Sequence, residues 1–181
     1  AFAFARLEFK GKNTLFAALL ATMMIPGELF TITNYATVSQ LEWKMTFAAL
    51  IIPFLVSVFY IYLLRQTFKQ IPDELYYAAK VDGTGDFKYL LRIMIPIGLP
   101  TIITITILKL MGSWNSYVWP NLVADKEEMR LITNGLRGSF DSADGTTVHL
   151  QMAATTIVTV PLLLVFIFFR KYIMRGASRS G

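Results

Sequence analysis

Cysteine is absent from this sequence, and histidine occurs once, as His149. The first absence excludes a disulfide framework and any cysteine-based metal centre. With one histidine there is no Cys-His pair for nucleophilic catalysis, and His149 by itself carries no assigned role. A glycine-rich G-x-x-x-x-G-K-[ST] loop is also missing, so nothing here cradles the phosphates of ATP in the Walker manner. Charge is scarce. Asp, Glu, Lys and Arg make up 16% of the 181 residues, whereas 55% are hydrophobic. Soluble domains sit at roughly 45–50% apolar even with glycine counted.

The missing charge is concentrated. Met45 to Leu64 and Leu150 to Phe169 are each 20 residues without a single charged side chain. A helix of that length spans roughly 30 Å, the thickness of a bilayer core. Two further apolar segments are interrupted: Thr14 to Tyr35 by Pro26, Gly27 and Glu28, and Ile93 to Trp119 by Lys109. The expectation is an all-α, polytopic membrane protein. Its four spans are about Thr14–Thr33, Met45–Leu64, Ile93–Trp114 and Val148–Phe169. A short external connection covers 34–44, an external loop covers roughly 117–147, and Asp141 to Gly145 reads as a turn. Each span contains proline: Pro26, Pro53, Pro96 with Pro100, and Pro161. Proline frees backbone carbonyls that neighbours or water must satisfy, which suits either a gate or plain packing geometry.

Positive charge orients the spans. If the segment from Ile71 to Arg92 faces the cytoplasm, twelve Lys and Arg lie inside and four outside, with Lys109 within the membrane. The positive-inside rule favours this arrangement, and the C-terminus is then cytoplasmic. The net charge of +5 calls for no nucleic-acid partner, because the basic residues flank spans rather than forming an aromatic-interleaved patch.

The charged segment Ile71 to Pro100 reads as more than a tether. Pro72 suits a first helical position, and Asp73 and Glu74 follow where the helix dipole favours negative charge. Ala78 and Ala79 are small enough for another surface to come close. Asp82-Gly83 breaks the helix. A second helix follows, with Phe87, Leu90, Leu91 and Met94 at helical spacing, and Pro96 and Pro100 mark the return to apolar sequence.

The run AAKVDG, then Ile93-Met94-Ile95-Pro96, then a further proline at Pro100, resembles the EAA loop of ABC-importer permeases. One position departs: Tyr77 stands where the motif has glutamate, and the nearest acid is Glu74, one helical turn earlier. ARLEFKGKN, MIPGELF, LLRQTFKQIP, GSWNSYVWP and FFRKYIMRG resemble landmarks of the carbohydrate-uptake class, similar to a maltose-type second permease, in the same order. The resemblance implies a type I ABC-importer transmembrane fold. It implies one permease domain over 1–181, four helices of six, with an N-terminal helix and most of a second preceding residue 1. Segment 71–100 becomes a cytoplasmic coupling segment that docks on an ATPase through Glu74, Tyr77, Ala78, Ala79, Asp82, Gly83 and Pro96. The implied partners are a second permease in a heterodimer, two ATP-binding subunits that hold ATP and Mg, an extracytoplasmic binding protein and a sugar. The implied place is the bacterial cell membrane. No cofactor or metal is expected on this chain, and it is not expected to be an enzyme.

For a substrate pathway the candidates are Trp114 and Asn115, because sugars are held by aromatic faces and amide groups, together with Lys109. Trp119 is expected in the aromatic belt at headgroup level. Lys109 suits either a hydrophilic path or a structural pairing, and Glu28 suits the outer surface. A rival class is an ion-coupled secondary transporter or channel that uses Glu28 and Lys109.

Overall fold

Proline decides where the expected spans hold and where they break. In the computed structural model, residues 1–124, 126–139 and 148–178 are described, and these are helical with no strand among them. The expected turn at 141–145 lies outside the described residues. In chain order the helices are α1 (Phe2–Arg6), α2 (Lys12–Thr22), α3 (Leu29–Gln40), α4 (Phe47–Ile51), α5 (Val58–Lys69), α6 (Asp73–Val81) and α7 (Asp86–Tyr89). They continue with α8 (Ile95–Trp114), α9 (Val118–Val123), α10 (Ile132–Ser139) and α11 (Val148–Ser178). Short 3-10 turns occupy Ile52–Phe54 and Glu127–Met129, and a π turn occupies Leu90–Met94.

Among the described residues two stretches are long and apolar enough to cross a membrane: Asp86–Trp114, of 29 residues, and Val148–Arg170, of 23 residues. The broken pair Phe47–Phe54 and Val58–Lys69 makes a third if counted as one span. The segment Thr14–Thr33 is not one helix. α2 stops at Thr22, and from Thr22 to Glu28 the chain advances through short bonds such as Leu29 N–H to the Pro26 carbonyl, 3.1 Å. Pro26 lacks the N–H that would continue the helix. α3 then runs on to Gln40, through most of what reads as an external connection, and the chain turns over Glu42 to Met45. The backbone N–H of Met45, a non-glycine residue at φ 61°, donates to the Val123 carbonyl at 2.9 Å. The expected loop after Trp114 likewise contains α9 and α10.

The chain divides into two compact units. The first comprises Ala1–Ile25, Ser57–Thr106 and the described residues from Arg170 onward; the second comprises Pro26–Val56 and Ile107–Phe169. The core of the first is Ala5, Phe68, Ile71, Ala79, Tyr89 and Met94. That of the second is Val38, Ala49, Trp119, Val123 and Ala124. Outside these cores large apolar side chains are freely exposed along α11, among them Ile157, Leu163 and Phe168. Apolar side chains facing outward along so much of a helix suit lipid rather than water.

Candidate functional site

The candidate coupling segment is held by an arginine from the start of the chain. α1 packs on α5, and the two helices cap each other's C-terminal ends. The last carbonyls of a helix have no partner within it, and its dipole favours cations there. Arg6 supplies such a cation to α5: Nη2 donates to the carbonyls of Phe68, at 2.8 Å, and of Ile71. In return Arg65 Nε donates to the Phe4 carbonyl at 3.1 Å, with its guanidinium stacked 4.0 Å from the Phe16 ring centroid. Nη1 of Arg6 bonds the carboxylate of Asp73, the first residue of α6. One buried guanidinium therefore ties α1, the end of α5 and the beginning of α6 together.

Pro72 takes the N-cap place rather than the first helical position, and Asp73 and Glu74 occupy the first turn. Helix α6 turns Tyr76 and Ala79 inward and leaves Glu74, Tyr77, Ala78 and Val81 facing out. Ala79 is thus a core residue packed within its own chain, not a surface offered to another. The helix closes in a Schellman motif, with Gly83 N–H donating to Lys80 O (3.0 Å) and Thr84 N–H to Ala79 O (2.8 Å). This geometry requires positive φ, and Gly83 stands at 70°. A Cβ there would meet nothing within 4 Å, so the glycine serves backbone conformation and not close packing within this chain. Asp82 is the C-cap and is exposed.

Across the turn Asp86 accepts from the Tyr76 hydroxyl at 2.8 Å and pairs with Lys80 at 2.6 Å. The bond to Asp86 raises the Lys80 pKa. Burial raises that of Tyr76, and its bond to Asp86 adds to the shift. Tyr76 also meets Tyr89 edge-on, 5.1 Å between centroids. Phe87, Leu90, Leu91 and Met94 do not share one face. Phe87 and Leu91 are exposed, while Leu90 and Met94 join the core. The π turn at Leu90–Met94 is the cause. Its i to i+5 spacing brings Tyr89 and Met94, five apart and both fully buried, to the same side. A proline ring crowds the carbonyl four residues before it, here that of Arg92, and the wider turn lies where the crowding from Pro96 falls. Pro96 itself is exposed, and the helix runs on through Pro100 to Trp114.

Three features escaped the sequence reading. Arg6 carries a signal, a lone cation within the apolar run AFAFARLEF. Gly98 carries only its type: a Cβ there would lie 2.9 Å from the ring of buried Phe68, so α8 approaches α5 closely at this point. Nearby, the Thr67 hydroxyl bonds that of Thr101 at 3.0 Å. The third is a polar cleft of about 990 Å³ beside α6, walled by Arg6, Glu8, Lys12, Arg65, Lys69 and Asp73, with Tyr76 and Tyr77 on its margin.

In the second unit the pathway candidates are less unified. Asn115 is exposed, but its amide Nδ2 donates to Met111 O at 2.9 Å, capping its own helix. Trp114 is half-buried beside a cavity of about 180 Å³ lined by Leu110, Ser113, Leu131 and Ile132, and its indole N–H is buried without a partner. Lys109 Nζ lies 5.8 Å from the Phe54 ring centroid, and Phe54 packs edge-on against Trp119. Trp119 is buried rather than at a headgroup belt. The reason is Pro53: it lacks the N–H that would bond the Ala49 carbonyl, and the Trp119 indole N–H takes that carbonyl at 2.9 Å. Glu28 is the exposed N-cap of α3. No group of three or more His, Cys, Asp or Glu suited to a metal occurs among the described residues.

The fold is that of an ABC-importer permease. It superposes on the crystal structure of a bacterial ABC transporter involved in the import of the acidic polysaccharide alginate, with a TM-score of 0.83 and 22% identity, covering 94% of this chain and 65% of that one. The chain belongs to the family of binding-protein-dependent transport system inner membrane components, whose model matches residues 1–179. Relatives include the arabinooligosaccharides transport system permease protein AraQ of Halalkalibacterium halodurans, 29% identical over 99% of this chain and 64% of that protein. AraQ of Bacillus subtilis is 30% identical over 96% of this chain and 62% of that protein. The sn-glycerol-3-phosphate transport system permease protein UgpE of Brucella abortus is 30% identical over 97% and 63%. The chain thus spans a little under two thirds of the length of these relatives.

Proposed function

We propose that this chain is the membrane-spanning part of an ATP-driven importer, in a bacterial cell membrane, that moves a sugar or oligosaccharide delivered by an extracytoplasmic binding protein. In this reading residues 1–181 form one permease domain that crosses the membrane four times. Two crossings use the continuous helices Asp86–Trp114 and Val148–Arg170, and two use the proline-broken pairs α2 with α3 and α4 with α5. The C-terminus faces the cytoplasm. A second permease completes the pathway as a heterodimer, and two ATP-binding subunits hold ATP and Mg. The observation that carries the reading is the helix–glycine–helix element of 73–89, closed by Gly83 and braced by Arg6. It is rigid, charged and joined in sequence to the broken pair ending in α5 and to α8, so a push on α6 reaches both. Two discrete arrangements of those helices would alternate access to a central path. Lys109, Trp114 and Asn115 are its candidate lining.

Relatives named for arabinooligosaccharides and for sn-glycerol-3-phosphate support a polyhydroxylated substrate. The test is uptake in liposomes by the full-length chain with its second permease and ATPase. Uptake that requires ATP supports the reading. Uptake that follows an ion gradient and ignores ATP overturns it in favour of a secondary transporter. Gly83→Trp is expected to leave membrane insertion intact while uncoupling hydrolysis from uptake; transport that survives it removes the docking role from this turn.

A further inference from the structure

We infer that the polar cleft between the start of the chain and the end of α5 binds a phosphate group, held by Arg65, Lys69 and the N–H groups that open α2. Its volume of about 990 Å³ lies within the range of about 300–1,000 Å³ typical of ligand sites. Arg65 is the centre of the site. It is only 9% exposed, its Nε is committed to the Phe4 carbonyl at 3.1 Å, and its guanidinium lies 4.0 Å from the Phe16 ring centroid. Those two contacts hold the guanidinium in place. Its Nη1 and Nη2 make no bond to any described residue, and they are not sealed off as Nε of Arg6 is. Arg65 lines the cleft, so the open end of a held, planar fork faces it. Such a fork takes phosphate oxygens two at a time.

A second donor set comes from α2. Gly11, its N-cap, has no side chain to cap with, and the first turn holds no acid. The backbone N–H groups of Asn13 and Thr14 have no partner within the helix and none elsewhere among the described residues, and both residues line the cleft. A helix start in this state attracts an anion. The charge count agrees. Each acid of the cleft is already matched, Glu8 to Lys12 at 3.0 Å and Asp73 to Arg6. Arg65 and Lys69 are left as cations with no acid partner among the described residues, and Lys69 is exposed. The donors sit on two different helices. A tetrahedral anion with several oxygens can reach both sets, whereas a planar carboxylate is satisfied by the fork alone. Phosphate has two sources here, the headgroup of an anionic phospholipid and a soluble phosphate compound. Cations flanking a span draw the first kind.

The experiment uses the full-length transporter, assembled with its second permease and ATPase subunits, in neutral detergent without nucleotide. It reads the unfolding temperature against inorganic phosphate, with chloride at equal ionic strength as reference, and against phosphatidylglycerol, with phosphatidylcholine as reference. A probe that binds the folded form raises the unfolding temperature with its concentration. At least one of the two probes is expected to protect beyond its reference. Protection by phosphatidylglycerol alone assigns the site to a headgroup, protection by inorganic phosphate alone assigns it to a soluble compound, and protection by both assigns it to either; each supports the site. Arg65→Lys keeps the charge but loses the fork, and is expected to weaken the apparent affinity for the protecting probe about tenfold. Since Arg65 also braces α1, Lys69→Glu is the second variant. Its position is exposed, so it is expected to unfold like wild type without probe and to weaken affinity about fivefold. Protection that survives either variant undiminished places the probe elsewhere and overturns the inference. So does chloride protecting as well as phosphate with phosphatidylglycerol no better than phosphatidylcholine, which is screening or bulk lipid alone. None of these readouts needs uptake or hydrolysis, so a negative result here leaves the transport reading standing, and a failure of ATP-driven uptake leaves this site measurable.

Discussion

The two compact units close the same kind of gap with different donors. In each, helix ends and proline breaks leave backbone carbonyls without partners. The first unit fills them with guanidinium groups: Arg6 serves Phe68 and Ile71, and Arg65 serves Phe4. The second uses neutral donors: the Trp119 indole serves Ala49, the Thr133 hydroxyl serves Ser116, and the Asn134 amide serves Tyr117. The first unit also carries most of the cations on which the expected membrane orientation rests. Two of those cations, Arg6 and Arg65, are buried cross-links and not loose surface charges. The residues expected to signal topology are here also a structural brace.

If that contrast is right, removing a charge should injure the first unit more than removing a neutral donor injures the second. The largest effect is expected from Arg6→Ala. It strips the Ile71 carbonyl and one carboxylate of the Arg6 donor and leaves the Phe68 carbonyl with only the long 3.4 Å bond from the Ile71 N–H, and the side chain is only 4% exposed. Unsatisfied buried carbonyls at about 1–3 kcal/mol each lead to an expected loss near 3 kcal/mol. Asp73→Asn, whose side chain is 71% exposed, should cost under about 1 kcal/mol. Thermal unfolding in detergent, followed by proteolysis at the α5–α6 junction, measures both. Equal losses in the two variants would mean that the ion pair, and not the carbonyl capping, does the bracing.

Gly98→Leu follows. Its Cβ alone would sit 2.9 Å from the Phe68 ring, which is packed in the first core and cannot swing away. Overpacking of this kind costs about 1–3 kcal/mol. Gly83→Ala offers the control, because it meets open space and loses only the ease of positive φ, about 1 kcal/mol. A Gly98 variant as stable as wild type would show that α8 and α5 part more readily than their packing implies.

Trp119→Phe tests the neutral side of the comparison. It keeps an aromatic ring against Phe54 but leaves the Ala49 carbonyl without a donor. About 1–2 kcal/mol of destabilisation is expected, less than Arg6→Ala. A larger loss would erase the difference between the units.

Much of this was open to reading in advance, for reasons that are local. Charge-free runs marked the apolar segments, and Asp82-Gly83 marked the end of α6, since a chain can leave a helix cheaply through a glycine at positive φ. The helix from Val148 and the helix ending at Trp114 begin and end where composition changes. What stayed hidden depends on partners far away in sequence. Arg6 acts on residues more than 60 positions on. The burial of Trp119 depends on Pro53, in another helix break. The split of Phe87 and Leu91 from Leu90 and Met94 depends on a π turn that simple 3.6-residue periodicity does not contain. The segment expected as one helix at Thr14–Thr33 is broken into two, because composition marks apolar length but not the cost of Pro26.

Lys109 gives the smallest expected effect on stability and the sharpest separation of role from structure. It is exposed, and its only described contact is with the Phe54 ring at 5.8 Å, near the limit for a cation–π attraction. At an exposed site such a contact contributes about 0.5–1 kcal/mol at most. Lys109→Met keeps the aliphatic stem over the ring and removes the charge. The expectation is an unfolding temperature close to wild type, because neither unit is braced through this residue. Uptake then becomes the informative measurement. A large loss of transport at unchanged stability would assign Lys109 to the pathway with Trp114. Unchanged transport would leave it as a cation resting on Phe54, and the search for the path would move to other polar groups of α8. A large loss of stability would contradict both, and would mean that the second unit also depends on charge.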